Sequence, residues 1–177
     1  MNRFAKVTLT SIALLGMAIT IPLGAALAQQ KQKVSYKVAA ENTKYTQQLN
    51  IAVGDVAGHE IRISEIHRTF PTNAPMINGV RLKEIWSRNM TDWIDLNGPT
   101  NSYNQYVLES GDKFFTRTST LGQNSGTGKR MNISTGMITG GTGKFAGIQG
   151  VVKALGTSDP KASLNETQVE IEYWFVQ

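Results

Sequence analysis

Apolar and polar residues alternate with a period of two along most of this chain. The segment 169–175 shows this most clearly, because its apolar side chains are separated by Glu170 and Glu172. Residues 49–53 and 61–68 alternate in the same way on either side of a turn at 54–58. A period of two places every second side chain on one face of a β-strand, so the pattern predicts antiparallel strands joined by tight turns.

Residues 80–96 carry a mixed pattern. Leu82, Trp86 and Met90 are spaced partly like one face of a helix, whereas Trp93 and Ile94 favour a strand. We predict one bent strand or two short strands, with a β-bulge that changes which face the apolar residues occupy. A helix is the alternative that this segment leaves open.

A glycine-rich segment at residues 139–150 lies between two further alternating stretches. A phosphate-binding loop needs a Gly separated by four residues from its Gly-Lys pair and a hydroxyl residue directly after the Lys. Ile138 and Phe145 occupy those two positions here. We therefore predict a β-turn between two strands, in which glycines permit a tight turn and a curved wall. These structural glycines are Gly140, Gly141, Gly143, Gly147 and Gly150.

The number and spacing of these segments predict an all-β fold. We expect an antiparallel eight-stranded (eight or nine strands) closed barrel, with a sandwich as the alternative. A barrel is favoured because it pairs the apolar C-terminal strand on both sides, whereas an exposed edge would invite aggregation.

Residues 1–28 have the features of a cleavable signal peptide. Arg3 and Lys6 precede an uncharged apolar run, and a small-residue cleavage site ends at Ala28. The run is shorter than the roughly 20 residues that a bilayer span requires. We expect export to the periplasm or the medium, a single domain at residues 29–177 and no membrane span after cleavage. An uncleaved N-terminal anchor is the alternative.

Composition narrows the function classes. The net charge of +5 falls to +3 without the two basic residues of the signal segment, and the lysines are scattered, so no nucleic-acid partner is expected. The chain has no Cys and two His, His59 and His67. Eight residues along one strand would hold these two imidazoles too far apart for one zinc ion, so no metal site is predicted. No cofactor is expected either.

Residues 140–150, with the sequence Gly-Gly-Thr-Gly-Lys-Phe-Ala-Gly-Ile-Gln-Gly, resemble the glycine-rich hairpin of the allene oxide cyclase and dirigent barrel superfamily. Residues 55–60, 111–114 and 173–175 are similar to secreted bacterial proteins related to those barrels. The resemblance implies an eight-stranded antiparallel barrel with a hydrophobic cavity. It transfers no active site, because none of the family's catalytic carboxylates has a matching position here.

Aromatic side chains of the central segments are candidates for a ligand-binding cluster. If neighbouring strands pair as a meander, these side chains line one mouth of the barrel, since small-molecule sites combine apolar walls with a few polar groups. Core packing is the alternative, and a shift of one residue would reverse which face points inward. The candidates are Trp86, Trp93, Tyr106, Phe114 and Phe115.

Three functional hypotheses follow. The leading one is an exported barrel, monomeric or homo-oligomeric, that binds a small apolar or aromatic molecule in its cavity. The second is a cofactor-independent cyclase, isomerase or lyase, in which Glu109 or Asp92 acts with Arg117 on developing charge and Tyr103 donates a proton. The third is a structural envelope protein with a filled barrel. The sequence leaves open whether the protein is an enzyme.

Overall fold

The computed structural model describes residues 30–159, 162 and 164–176, which form one antiparallel sheet of ten strands. The strands are β1 (Gln32–Val38), β2 (Thr43–Ala52), β3 (His59–Thr69), β4 (Met76–Ile77), β5 (Val80–Ile94), β6 (Gly98–Leu108), β7 (Lys113–Asn124), β8 (Arg130–Gly141), β9 (Ile148–Asp159) and β10 (Leu164–Phe175). Two 3₁₀ turns are the helical elements of this described part, so the all-β prediction is confirmed. The ten strands correct the predicted count of eight or nine. The predicted signal peptide, residues 1–28, lies outside it.

Neighbours in the sheet follow the order β1-β10-β9-β8-β7-β6-β5-β3-β2, and β4 pairs with β5. Most neighbours are also consecutive in the chain and form hairpins, as the turns at 54–58 and 110–112 predict. The predicted bulge in β5 is also confirmed, because its register with β6 shifts between Leu82 and Glu84. This shift lets one continuous strand keep both Leu82 and Ile85 buried, although they are three positions apart and would otherwise lie on opposite faces.

The sheet curls into an open barrel, since nine of its strands contribute side chains to one interior cavity. Its edge strands are β1 and β2, and backbone hydrogen bonds do not close the sheet between them within the described residues, which corrects the predicted closure. An even number of antiparallel steps separates β1 from β2, so the two run in the same direction. Only residues 39–42 join them, so β1 and β2 act as one kinked strand. The gap in backbone hydrogen bonding between the two edges of the sheet is called the seam here. The Asn165 side-chain amide also spans this seam by donating to the Tyr45 hydroxyl at 3.0 Å.

One end of the interior, the apolar end, holds the hydrophobic core. The Tyr106 and Phe114 rings stack at 4.2 Å, and Phe145 of the glycine-rich turn packs beside them. The segment before β5 covers this end, because Ile77 is fully buried and the Asn78 N–H donates to the Tyr173 hydroxyl at 2.7 Å. Each buried aliphatic or aromatic side chain contributes about 1.5–3 kcal/mol, so this end anchors the fold.

The other end, the polar end, reverses the usual arrangement. Its inward side chains are mainly Ser, Thr, Asn and Arg, whereas large apolar side chains point outward. Ile133 and Leu155, for example, are 56 % and 63 % exposed. The inward face that the sequence left open is therefore the polar one in this half of the barrel. Polar groups buried in this number require hydrogen-bond partners within the interior.

The predicted strand–turn–strand arrangement of the glycine-rich segment is confirmed, and it yields a stability test. A Cβ at Gly150 (φ +159°) would collide with the carbonyl oxygen of Glu172, whereas a Cβ at Gly140 (φ +150°) would meet nothing within 4 Å. Because the backbone angles are similar, we expect Gly150→Ala to lower the free energy of unfolding by about 1–3 kcal/mol more than Gly140→Ala. Chemical denaturation of both variants measures this difference, and equal losses would contradict it.

Candidate functional site

The polar end encloses a cavity of about 160 Å³. Its wall combines neutral hydroxyl and amide side chains with three arginines, Arg62, Arg68 and Arg130, and with the rings of Tyr45 and Trp93. No Asp or Glu belongs to the lining among the described residues. Val38, Ile66, Ile85, Val152 and Val169 also line it, so the wall is mixed in polarity and carries positive charge.

The neutral part of the wall satisfies its own hydrogen bonds. Strand register places hydroxyl and amide side chains directly opposite one another, and they bond across the strands. The hydroxyls of Thr91 and Thr100 lie 2.9 Å apart, and the Ser102 hydroxyl donates to Asn89 Oδ1 at 2.7 Å. Buried polar groups paired in this way cost little, so the barrel keeps a polar interior without losing its fold.

Arg62 and Arg130 occupy the mouth of the cavity. Their side chains are 8 % and 6 % exposed, and their guanidinium carbons lie 5.4 and 5.2 Å from the centre of the Trp93 ring. Arg130 donates to the Gly98 carbonyl at 2.7 Å, and Arg62 donates to the amide oxygen of Gln48. The Nε–H groups of both arginines are buried without a hydrogen-bond partner among the described residues.

Arg68 occupies the floor of the cavity, where the polar and apolar ends meet. Its Nη1 donates to the Ser87 hydroxyl at 2.9 Å. Burial lowers the pKa of Arg68, and nearby tyrosines, including Tyr45, oppose that shift. Burial likewise raises the pKa of Tyr36, with Tyr106 as the next cause. Because an arginine stays protonated in proteins, the floor carries a desolvated positive charge beside phenol groups.

The positive charge of the cavity has no counter-charge within it. The carboxylate of Glu60, at the mouth, accepts from Trp93 Nε1 at 3.3 Å and from Asn50 at 3.2 Å, but from neither guanidinium. Buried charges in proteins are usually paired, because an isolated one costs several kcal/mol of desolvation. An anion held in the cavity would balance this charge.

The cavity reaches solvent beside β2. The side chains of Gln48 and Asn50 lie on the inward side of β2, opposite Ser64 and Arg62, and are nevertheless exposed. The unpaired edge of β2 lies along the seam at this point.

The structure divides the five predicted ligand-binding aromatics by strand parity. Trp93 lines the mouth and Tyr106 lines the floor, while Phe114 belongs to the core below. Trp86 lies on the outer face of β5, where it stacks on the His67 ring at 4.0 Å. Phe115, the neighbour of the inward Phe114, lies on the opposite face of β7. The five residues therefore do not form one cluster.

The four predicted catalytic residues lie outside the cavity lining. Glu109 forms an ion pair with Arg81 at 3.2 Å, and Asp92 bonds to the His59 ring at 2.8 Å. The Arg117 guanidinium lies 5.6 Å from the centre of the Tyr103 ring on the outer face. Chemistry within the cavity would have to use other side chains.

The arginines that dominate the site escaped the sequence-based search. Arg62 shares its face of β3 with Ser64. The apolar Ile61 and Ile63 lie on the opposite face, and by sequence that face would be taken as the inward one. A usable signal was present in the repeated spacing of small polar residues at every second position in 100–104, 116–120 and 132–134. Three adjacent strands with the same polar alternation indicate a shared polar face.

Comparisons with protein-family models, with curated proteins and with solved structures found no match to this chain. Within residues 30–159 and 164–176, no helix is long and apolar enough to cross a bilayer. The same residues contain no group of three or more His, Asp or Glu arranged to hold a metal ion. The function must therefore be inferred from the cavity itself.

A histidine also stabilises the mouth. Nδ1 of His59 lies 2.6 Å from an oxygen of Asp55, and Nε2 lies 2.8 Å from an oxygen of Asp92. The hydrogen bonds to Asp92 and then to Asp55 raise the pKa of His59. A ring that donates from both nitrogens is an imidazolium, so this pair of bonds ties the 54–58 turn to β5.

This pair of bonds predicts a pH-dependent stability. A raised histidine pKa contributes stability that is complete below its ordinary value of about 6.5 and is lost as pH rises through the folded-state value. We expect the free energy of unfolding to fall over that range in the native protein and less so in His59→Gln. Urea denaturation from about pH 5.5 to about pH 9 measures this. Ser119→Ala, which removes an exposed hydrogen bond but no titratable group, is the control and should keep the native dependence. The same slope in His59→Gln as in the native protein would contradict the assignment.

Proposed function

We propose that this is an exported binding protein that holds a small organic anion in the polar end of its barrel. The observation that carries the proposal is the pair Arg62 and Arg130. Both guanidinium groups are buried against Trp93, both keep an unpartnered Nε–H, and no carboxylate lines the cavity among the described residues. A bound anion would supply the missing counter-charge.

The chemistry of the lining favours a carboxylate or phosphate group on that ligand. Guanidinium groups bind such anions through paired N–H donors, and the hydroxyl and amide wall can bond to polar atoms of the rest of the molecule. A purely apolar ligand, the leading expectation from sequence, would leave three arginines desolvated and unpaired. The sequence-based hypothesis of a ligand in the cavity is therefore retained here with an anionic ligand.

A cofactor-independent isomerase, cyclase or lyase is the second candidate, and the floor of the cavity favours it. The Tyr36 hydroxyl is buried beside Tyr106, which contributes to its raised pKa, and close to Arg68. A phenol beside a guanidinium can donate a proton while the cation stabilises a developing oxyanion. The resemblance to allene oxide cyclase and dirigent barrels agrees with this class. A filled structural barrel is less favoured, because the interior contains a cavity.

Isothermal titration with hexanoate and hexanol tests the binding function. We expect hexanoate to bind and the uncharged hexanol of equal chain length not to bind. Arg62→Met should weaken hexanoate binding by roughly 10- to 100-fold, because hydrogen bonds to charged groups contribute about 1.5–3 kcal/mol. It should leave the free energy of unfolding unchanged or raised, since a buried unpaired charge is removed.

Arg88→Met is the matched control. Arg88 lies on the outer face, paired with Glu65 at 3.0 Å, and its loss should change the hexanoate affinity less than about twofold. Equal binding of hexanol and hexanoate, or unchanged binding by Arg62→Met, would refute the proposal.

A further inference from the structure

We propose that the ligand carries two acidic groups, one held by Arg62 and Arg130 at the mouth and the other by Arg68 at the floor. This inference rests on the proposed binding function and specifies its ligand class. It follows from the placement of the three cations at opposite ends of one polar cavity.

The mouth forms the first anion position. Arg130 is fixed by the Gly98 carbonyl at 2.7 Å and by longer contacts of 3.4 Å to the Thr100 hydroxyl. Arg62 lies beside it, and the positive charge of Arg62 contributes to the lowered pKa of Arg130, after burial as the main cause. Two like charges held this close repel each other, and an anion between them would remove that cost.

The floor forms the second position. Arg68 lies six residues after Arg62 on the same face of β3, and its side chain lines the cavity. Ser87 is its one hydrogen-bond acceptor among the described residues. A guanidinium carries five N–H donors, so the floor also presents a cation with donors besides the one that Ser87 accepts.

The distance between the two positions separates them into different sites. Ser87 accepts a hydrogen bond from Arg68. Thr91 bonds to Thr100, which contacts Arg130. Ser87 and Thr91 are four residues apart on β5. At ~3.3 Å per residue, these anchors lie roughly 13 Å apart along the strand. One carboxylate cannot contact guanidinium groups at both ends of that interval, whereas a short chain with an acid at each end can.

The wall between the two positions is uncharged and largely polar. Asn89, Ser64 and Ser102 lie there and are bonded to one another, and the Tyr45 ring lies over Arg62 at 5.1 Å. A third charge on the ligand would find no partner at this level. The lining therefore matches a dianion with a neutral middle, such as a dicarboxylate.

Isothermal titration with matched acids tests this inference. Adipate and hexanoate have the same number of carbons and differ in the second carboxylate. We expect the native protein to bind adipate at least roughly 10-fold more tightly than hexanoate, because a second charged contact is made. Across succinate, glutarate, adipate and pimelate, affinity should pass through a maximum set by the spacing of the cations.

Arg68→Met should abolish the advantage of adipate while leaving hexanoate binding at the mouth intact. Arg68→Lys, which retains the charge, should keep part of the advantage, and Arg81→Met on the outer surface should keep all of it. Because hexanoate binding by Arg68→Met itself reports an intact mouth, a misfolded variant cannot imitate the expected result.

The outcomes separate the two proposals. Failure of both acids to bind the native protein would refute the proposed function. Three results would overturn only the proposal of a ligand with two acidic groups. These are equal affinities for adipate and hexanoate, an adipate advantage that survives in Arg68→Met, and two hexanoate molecules bound per chain with no gain for adipate.

Discussion

Burial of positive charge without a counter-charge is the constraint around which this barrel is built. Three guanidinium groups point into a space that no carboxylate lines within the described chain. Such an arrangement costs free energy, so the rest of the fold must offset it. The stacked rings and aliphatic side chains of the apolar end do so, and the wall beside the arginines adds no further cost because its hydroxyl and amide groups bond to one another. Stability and the proposed ligand recognition are thus divided between the two ends of the barrel interior.

The division has a simple origin in the strands. A long strand such as β7 presents Phe114 at one end of its inward face and Thr118 and Thr120 further along the same face. Neighbouring strands change from apolar to polar at the same height, so that the change forms a level across the barrel rather than a patch. Outward side chains change in the opposite sense, and this leaves the polar end with an apolar exterior. A single strand therefore places apolar residues inward at one end and polar residues inward at the other.

Features set by neighbouring residues could be predicted from the sequence, and features set by distant ones could not. The hairpins, the glycine-rich turn and the bulge in β5 each depend on a few consecutive residues, and all three predictions are confirmed. Ile61 and Ile63 show why the site was missed: on a half-buried strand they would mark the core face, yet here they face outward and Arg62 faces inward. The seam could not be predicted from the sequence either, because closure of the barrel depends on how β1 and β2 meet at opposite edges of a curled sheet. The candidate site needs both kinds of knowledge, and the sequence supplied only Trp93 and Tyr106 of its lining.

The kinked first strand gives the wall a line of mechanical weakness. Adjacent strands elsewhere in the described sheet are joined by ladders of backbone hydrogen bonds. At the seam, β1 and β2 are joined by residues 39–42, and β2 is linked to β10 by side-chain contacts such as that of Asn165 with Tyr45. Separating this junction breaks few bonds, so it opens at lower free energy than the remainder of the sheet. Local opening of the wall is therefore expected along this line before any of the backbone ladders separates.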